Sequence, residues 1–263
     1  MWLDARLQGG ATRGQFMSSD AGTDATLDKA DALAQLLSAD PLRSRDEPEI
    51  AANIGSQLQH MGLSTWSISV HRRLRDALAR LKPQRIIEVG GGIGHRSAWV
   101  YDLFTVDGFT PERYDIIENG AKFAVILHRL MTRYEGESYT KIVVGVLDAL
   151  VGETIAWKAA SSTGLEVGDA PIQPEADAII VDGTNAQRAK NVELMLPFMA
   201  KGGVLFTLEP DMPVGDVEPD DAEGMELVNG FNAWIELIQS CNETHNIGFM
   251  PLFGGTLVAM VRK

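Results

Sequence analysis

The chain has 263 residues, with 23 Lys plus Arg against 36 Asp plus Glu, and a formal net charge of −13 at pH 7. Hydrophobic residues make up 45% of the chain and charged residues 22%, which excludes a wholly disordered protein. A net charge this negative argues against broad nucleic-acid binding, because such binding requires a basic surface.

Cysteine, histidine and hydropathy patterns narrow the class of protein further. The single cysteine, Cys241, excludes an internal disulfide framework, and the five histidines show no metal-ligand spacing. The charged first residues lack the apolar run of a secretory signal, and no stretch approaches the roughly 20 apolar residues of a membrane span. We therefore expect a reduced, cytoplasmic protein with no membrane or nucleic-acid partner.

Turn-forming residues dominate the start of the chain, and the first apolar periodicity predicts a helix over 26–38. From residue 68 onward, apolar strands alternate with helices, which predicts βαβ units and a parallel sheet. The predicted helices span 68–81, the residues after the first glycines to about 104, 121–134, 149–160, 185–199 and 224–240. The predicted strands span 85–89, 114–118, 141–146, 176–181, 203–208, 247–252 and 256–261.

The last two predicted strands differ from the others because only Phe253-Gly254-Gly255 separates them. A parallel crossover needs about a dozen residues, so these two strands must pair antiparallel as a hairpin. The sequence therefore predicts an α/β fold of three layers, with a seven-stranded, mostly parallel sheet and an antiparallel closing hairpin.

The strongest local motif, Glu88-Val-Gly90-Gly-Gly92-Ile-Gly94, lies at the end of the first strand. Glycines there allow a sharp turn and let a ligand approach the backbone closely. The dinucleotide fingerprint GxGxxG would need glycine where His95 stands. The order acid-x-Gly-x-Gly-x-Gly instead resembles motif I of class I S-adenosylmethionine-dependent methyltransferases.

Acidic residues also lie at or just after the ends of the next three predicted strands, at Glu118, Asp148 and Asp182. A carboxylate at the end of the second strand can accept hydrogen bonds from both hydroxyls of a ribose. The alternative for Glu118 and Asp148 is a helix-capping role. The resemblance implies that S-adenosylmethionine is the cofactor and that it contacts Glu88, Gly90, Gly92, Gly94, Glu118, Asn119, Asp148 and Asp182.

Within that superfamily, the chain is most similar to small-molecule O-methyltransferases of the catechol and caffeoyl-CoA type. The likeness includes Met61-Gly-Leu-Ser64-Thr65 before a helix, the spacing Glu88-x-Gly90-x-x-x-Gly94 and Asp182 at the end of the fourth strand. Those enzymes bind a divalent metal through an Asp at the end of the fourth strand, here Asp182, and an Asp-Asn pair that here reads Leu208-Glu209. We therefore expect that the protein binds no metal. If it did bind one, the oxygen ligands would be Asp182 with Glu209 or Asp211.

The resemblance implies a methyltransferase that acts on oxygen or nitrogen of a small-molecule acceptor, as a homodimer. Residues 68–263 would form the methyltransferase domain, and residues 1–67 a helical cap or a dimerisation extension. Asp182, Glu209 and His95 are the candidates for a catalytic base. The acidic segment 209–226, with eight Asp or Glu, either attracts a cationic acceptor or is a solvated loop.

Two other functions remain open at this point. One is a non-catalytic module that keeps the donor-binding residues. The other is an aminopropyltransferase, because spermidine synthases resemble the chain in the Gly-Gly-Gly-x-Gly run. Their fourth strand ends in an Asp-Ser/Thr-x-Asp-Pro-like step, whereas this chain has Asp182-Gly-Thr-Asn185.

Overall fold

The computed structural model describes residues 31–164, 166–215, 217–218 and 220–263. Its strands are β1 (Arg85–Val89), β2 (Arg113–Glu118), β3 (Thr140–Val144), β4 (Ala176–Val181), β5 (Met199–Leu208), β6 (His245–Leu252) and β7 (Gly255–Arg262). Its principal helices are α1 (Glu49–His60), α2 (Ile68–Leu81), α3 (His95–Asp107), α4 (Ala121–Arg133), α5 (Leu147–Ser162), α6 (Asn185–Met195) and α7 (Ala222–Cys241). No helix in these residues is long and apolar enough to cross a membrane.

The seven strands form one sheet in the order β3-β2-β1-β4-β5-β7-β6. The first five strands run parallel, and β7 lies antiparallel between β5 and β6. The sequence-based prediction of a mostly parallel sheet with an antiparallel closing hairpin is therefore confirmed. Since parallel strands all point the same way, the ends of β1, β2 and β4 meet at one edge, where open α/β sheets bind ligands.

Several element boundaries differ from their predicted positions, and the structure gives a physical reason for three of them. Strand β5 begins at Met199 rather than at residue 203, because Met199 already pairs with Ala176 of β4. Helix α6 ends at Met195 and a 3-10 turn (Leu196–Phe198) follows, since Pro197 has no N–H to donate within a helix. Strand β3 ends at Val144, two residues early, where Gly145 has a φ of 158°.

Two apolar cores cover the two faces of the sheet. One core contains Leu74 of α2 and Trp99 of α3, and the other contains Val192 of α6 and Trp234 of α7. The helix predicted over 26–38 lies partly outside the described residues, and residues 31–36 of it are helical.

The described part of the N-terminal segment packs on the α2 and α3 side of the sheet. Leu37 of this segment and both Ile54 and Leu58 of α1 are buried in the same apolar core as α2 and α3. Burying such side chains stabilises the fold by roughly 1.5–3 kcal/mol each. Residues 31–60 therefore share a hydrophobic core with the sheet that follows them.

Candidate functional site

Two adjoining cavities lie at the ends of the parallel strands. The small cavity, of about 250 Å³, is lined at the ends of β2 and β3 by residues that include Asn119 and Asp148. The large cavity, of about 620 Å³, extends from the glycine loop to Glu209 and Gly255. Gly90, Glu118, Asp182, Gly183 and Gln187 line both cavities, so the two form one continuous crevice.

The glycine loop presents bare backbone to this crevice. Gly90, Gly92 and Gly94 have φ values of 78°, 54° and 89°, a region that residues with a Cβ rarely adopt. A Cβ on Gly92, which lines the large cavity, would meet no atom within 4 Å. A Cβ on Gly94 would lie 2.5 Å from Leu130 Cδ2, so glycine is also required there to pack the loop against α4. The loop thus leaves space for a ligand at Gly92.

Glu118 lies at the junction of the two cavities and is 8% exposed. Its Oε2 accepts a hydrogen bond of 2.7 Å from the backbone N–H of Gly92, and its Oε1 accepts one of 2.8 Å from Gly120. A carboxylate has about four acceptor positions, so Glu118 can accept further hydrogen bonds from a diol. Its position supports the ligand-binding prediction and also shows a structural role in closing the loop.

Asn119 and Asp148 both line the small cavity, as their predicted role requires. Asp148 is not the N-cap of α5, because Val146 occupies that position without a side-chain hydrogen bond. The carboxylate of Asp148 instead pairs with the ammonium group of Lys190 on α6, and both side chains are about half exposed. Lys190, which sequence analysis missed, also lines this cavity.

Glu88, which the resemblance predicts to contact the cofactor, lines neither cavity. Its carboxylate is completely buried behind the glycine loop and accepts hydrogen bonds from Arg96 Nε (3.1 Å), Ser97 Oγ (3.1 Å) and the Tyr114 hydroxyl. Burial raises the pKa of Glu88, and the positive charge of Arg96 opposes that rise. Because its acceptor positions are used within the protein, Glu88 supports the loop from behind.

Arg96 is the central residue of the site, and sequence analysis did not assign it a role. Its side chain is 5% exposed, and its Nη1 donates a 2.8 Å hydrogen bond to Asp182 Oδ2 while Nε binds Glu88. Its Nη2 donates to the carbonyl oxygens of Val89 and Gly90, at 3.1 and 2.7 Å. The guanidinium carbon lies 4.7 Å from the ring centroid of Trp66. One side chain therefore joins β1, the glycine loop, the end of β4 and the segment before α2.

Asp182 lines both cavities, and two arginines surround its carboxylate. Oδ1 accepts a 2.8 Å hydrogen bond from the N–H of Gly183 and lies 3.7 Å from Arg188 Nη2. Burial opposes the ionisation of Asp182, but the charge of Arg96 and its hydrogen bond outweigh burial and lower the pKa of Asp182. Asp182 is therefore a stable anion and a weak base.

The donor set around Asp182 does not fit a divalent metal. Glu209 and Asp211 line the same large cavity, but no three His, Cys, Asp or Glu side chains in the described residues are placed to hold an ion together. Both oxygens of Asp182 already accept hydrogen bonds, and the guanidinium groups of Arg96 and Arg188 lie where they would repel a cation. Asp211 accepts a 3.1 Å hydrogen bond from Asn185 Nδ2.

His95 lines neither cavity, although it was a candidate base. Its Nδ1 lies 3.0 Å from Thr65 Oγ1 and its Nε2 lies 3.0 Å from Glu47 Oε1. Burial lowers the pKa of His95, and the hydrogen bond to Glu47 opposes that shift. The ring thus connects the segments at residues 47 and 65 to the start of α3. Of the three candidate bases, Asp182 and Glu209 line the large cavity.

The strand order and the crevice at the ends of β1, β2 and β4 define a class I methyltransferase fold. Solved structures share this fold over nearly the whole chain. The S-adenosylhomocysteine-bound methyltransferase PaMTH1 of Podospora anserina is 16% identical, with a TM-score of 0.57 and coverage of 95% of this chain and 100% of the other. A putative caffeoyl-CoA O-methyltransferase of Staphylococcus aureus is 12% identical, with a TM-score of 0.61 and coverage of 92% and 100%.

A third similar structure is the O-methyltransferase TomG of Streptomyces achromogenes in complex with S-adenosylmethionine. It is 16% identical, with a TM-score of 0.60 and coverage of 90% of this chain and 96% of the other. No family model and no curated protein sequence matches the chain. At identities this low, the structural similarity establishes the shared fold alone. The function has to be argued from the site itself.

Proposed function

We propose that the protein is an S-adenosylmethionine-dependent methyltransferase that acts on oxygen or nitrogen of a small molecule. The observation that carries this proposal is the carboxylate of Glu118, which the N–H groups of Gly92 and Gly120 hold at the junction of two cavities. A carboxylate held in place beside a glycine loop without side chains is suited to accept hydrogen bonds from the hydroxyls of a ribose. The similar structures that contain S-adenosylhomocysteine or S-adenosylmethionine support the same cofactor.

The two cavities suggest a division of the crevice between two ligands. The small cavity, with Asn119 and Asp148, would bind the adenosine of the donor beside Glu118. The large cavity would hold the acceptor, since it adjoins Glu118 and extends to Glu209. S-adenosylmethionine supplies an electrophilic methyl group, so the protein's main task is to hold the acceptor atom in line and to exclude water.

We further propose Glu209 as the base for an acceptor that must lose a proton. Its carboxylate makes no hydrogen bond with the described residues, and it lines the large cavity. Asp182 is less suited because the charge of Arg96 lowers its pKa. Homodimerisation and a cytoplasmic location stay predictions.

The proposed cofactor can be tested by thermal denaturation with S-adenosylmethionine or S-adenosylhomocysteine. Either ligand is expected to raise the melting temperature, because a ligand that binds only the native state stabilises it by about 2.7 kcal/mol at roughly 100 times its Kd. NADH serves as the control and should leave the melting temperature unchanged. A shift with NADH but with neither sulfur ligand would contradict the proposed function.

Isothermal titration with decarboxylated S-adenosylmethionine separates methyl transfer from aminopropyl transfer. We expect the intact donor to bind more tightly, and a clear preference for the decarboxylated form would favour an aminopropyltransferase. Donor binding without turnover on any hydroxyl or amine acceptor would favour a non-catalytic module.

Donor binding and any turnover are expected to persist in excess EDTA. The reason is that Arg96 and Arg188 already surround the carboxylate of Asp182, the acid that corresponds to a metal ligand in the resemblance to catechol-type O-methyltransferases. The measurement is a titration of S-adenosylhomocysteine, and later a methylation assay, with and without EDTA. Activity that EDTA abolishes and Mg²⁺ or Ca²⁺ restores would contradict this prediction and indicate Asp182 with Glu209 or Asp211 as ligands.

A further inference from the structure

A third cavity, which we call the basic cavity, has a volume of about 380 Å³ and lies between residues 39–45, the first half of α2 and the tip of the β6–β7 hairpin. Two aspartates line it, Asp40 and Asp76. Five arginines line it as well: Arg43, Arg45, Arg72, Arg73 and Arg75. Its lining therefore carries three positive charges in excess, on a chain whose formal net charge is −13.

Three of these arginines have clear structural partners. Arg73 Nη1 donates a 2.5 Å hydrogen bond to the carbonyl oxygen of Leu37. Arg43 forms a bidentate pair with Asp107, at 2.7 and 2.6 Å. Arg75 binds the carboxylate of Asp76 and the carbonyl oxygen of Ser44, both at 3.0 Å. These contacts hold residues 43 and 44 against the end of α3 and against α2, and they explain part of the arginine cluster.

Two other arginines of the basic cavity are not explained in this way. Within the described part of the chain, Arg45 and Arg72 make no hydrogen bond or ion pair, and Arg72 Nε is a buried donor without a partner. A buried donor that lacks a partner costs free energy, as does the close approach of like charges. An anion in the basic cavity would offset the second of these costs.

The start of α2 adds to this positive potential. Ser67 caps the helix, no acidic residue lies in its first turn, and Arg72 and Arg73 follow in the second turn. The N-terminus of a helix carries a partial positive charge, which favours a nearby anion and disfavours nearby cations. Ser69, in the first turn, lines the basic cavity. The helix end and the arginines therefore favour the same kind of ligand.

We propose that the basic cavity is a binding site for a phosphate group, with Arg72 and Arg45 as its ligands. The planar guanidinium group matches two oxygens of a phosphate, and it binds them by charge-assisted hydrogen bonds. This inference does not depend on methyl transfer, so it can fail while the proposed function holds.

Residues that are close together in the sequence line the basic cavity and the large cavity. Ser64, Thr65 and Trp66 line the large cavity, whereas Ser69 lines the basic cavity. Between them, Ser67 Oγ donates a 2.7 Å hydrogen bond to the carbonyl oxygen of Phe253 at the hairpin tip. The phosphate is therefore either a group on the acceptor or a separate ligand, and both sources share the same recognition chemistry.

The test is isothermal titration with inorganic pyrophosphate of the wild type and of the Arg72→Gln, Arg45→Gln and Arg129→Gln variants. Arg129 is an exposed residue of α4 that lines none of these cavities, so Arg129→Gln is the matched control. We expect Arg72→Gln and Arg45→Gln each to weaken binding by about tenfold or more, and the control to leave it unchanged. Absent binding, or an equal loss in all three variants, would overturn the proposal.

A second titration, with phenyl phosphate, distinguishes the two sources of the phosphate. If S-adenosylhomocysteine tightens the binding of phenyl phosphate and not that of pyrophosphate, the phosphate belongs to the acceptor. If S-adenosylhomocysteine changes neither, the phosphate is a separate ligand. Thermal denaturation of each variant checks the fold, and Arg45→Gln provides a second variant at an exposed position should Arg72→Gln fail to fold.

Discussion

Replacement of Arg96 by methionine is expected to lower the free energy of unfolding by about 3–5 kcal/mol, because it leaves a buried carboxylate without its counter-charge. Glu88 is completely buried, and Arg96 is its cationic partner at 3.1 Å. The same substitution removes the hydrogen bonds to Asp182 and to the carbonyl oxygens of Val89 and Gly90. The measurement is urea denaturation of the wild type and the variant.

The control is Arg85→Met, because Arg85 also pairs with two acids, Glu175 and Asp177, but its side chain is 36% exposed. Pairs of this kind are worth about 0–1 kcal/mol, so a small loss is expected there. In the double variant Glu88→Gln with Arg96→Met, the loss should be smaller than the sum of the two single losses. Equal losses for Arg96→Met and Arg85→Met would contradict the central role of Arg96.

The loss of unfolding free energy in the Arg96→Met variant should also depend on pH. Burial already raises the pKa of Glu88, and removal of Arg96 takes away the charge that opposes this rise. A carboxyl group whose pKa is higher in the folded state is most favourable below its unfolded pKa, and its contribution is lost as the pH rises through the folded pKa. The deficit of the variant should therefore be larger at pH 8 than at pH 5.

Replacement of Glu118 by alanine is expected to weaken donor binding by roughly 1.5–3 kcal/mol, since charge-assisted hydrogen bonds to the ribose hydroxyls would be lost. That is about a ten- to hundredfold rise in Kd for S-adenosylhomocysteine, measured by isothermal titration. The Glu118→Gln variant keeps the size of the side chain but loses the charge, so its Kd should lie between those of the wild type and Glu118→Ala.

The control for Glu118→Ala is Glu153→Ala, an exposed acid of α5 that lines neither the small nor the large cavity. We expect no change of Kd there. An unchanged Kd in Glu118→Ala would restrict Glu118 to its hydrogen bonds with Gly92 and Gly120. A lower melting temperature of the variant without ligand would report those bonds separately.

Much of the fold could be predicted because its signals are local in the sequence. Alternating strands and helices predict the parallel sheet, and the three residues between the last two strands leave room only for a hairpin. The boundary of β5 was missed by four residues, because the pairing of Met199 with Ala176 joins positions far apart in the chain.

For the site, the sequence by itself determined which acids and glycines meet at the strand ends. Gly90, Gly92 and Glu118 each follow or end a strand, and parallel strands bring such positions to one edge of the sheet. A strand end has a known place in such a fold, so these residues line the crevice as predicted.

Only the tertiary structure decided which side chains face the crevice and which charges pair. Glu88 is buried behind the loop, Arg96 joins it to Asp182, and Arg188 approaches the other side of that carboxylate. The arginines of the basic cavity likewise converge from residues 43–45 and from α2. These pairings join residues 30 to 90 positions apart or depend on side-chain direction. Burial and electrostatics of the packed chain select them, and no local pattern in the sequence encodes them.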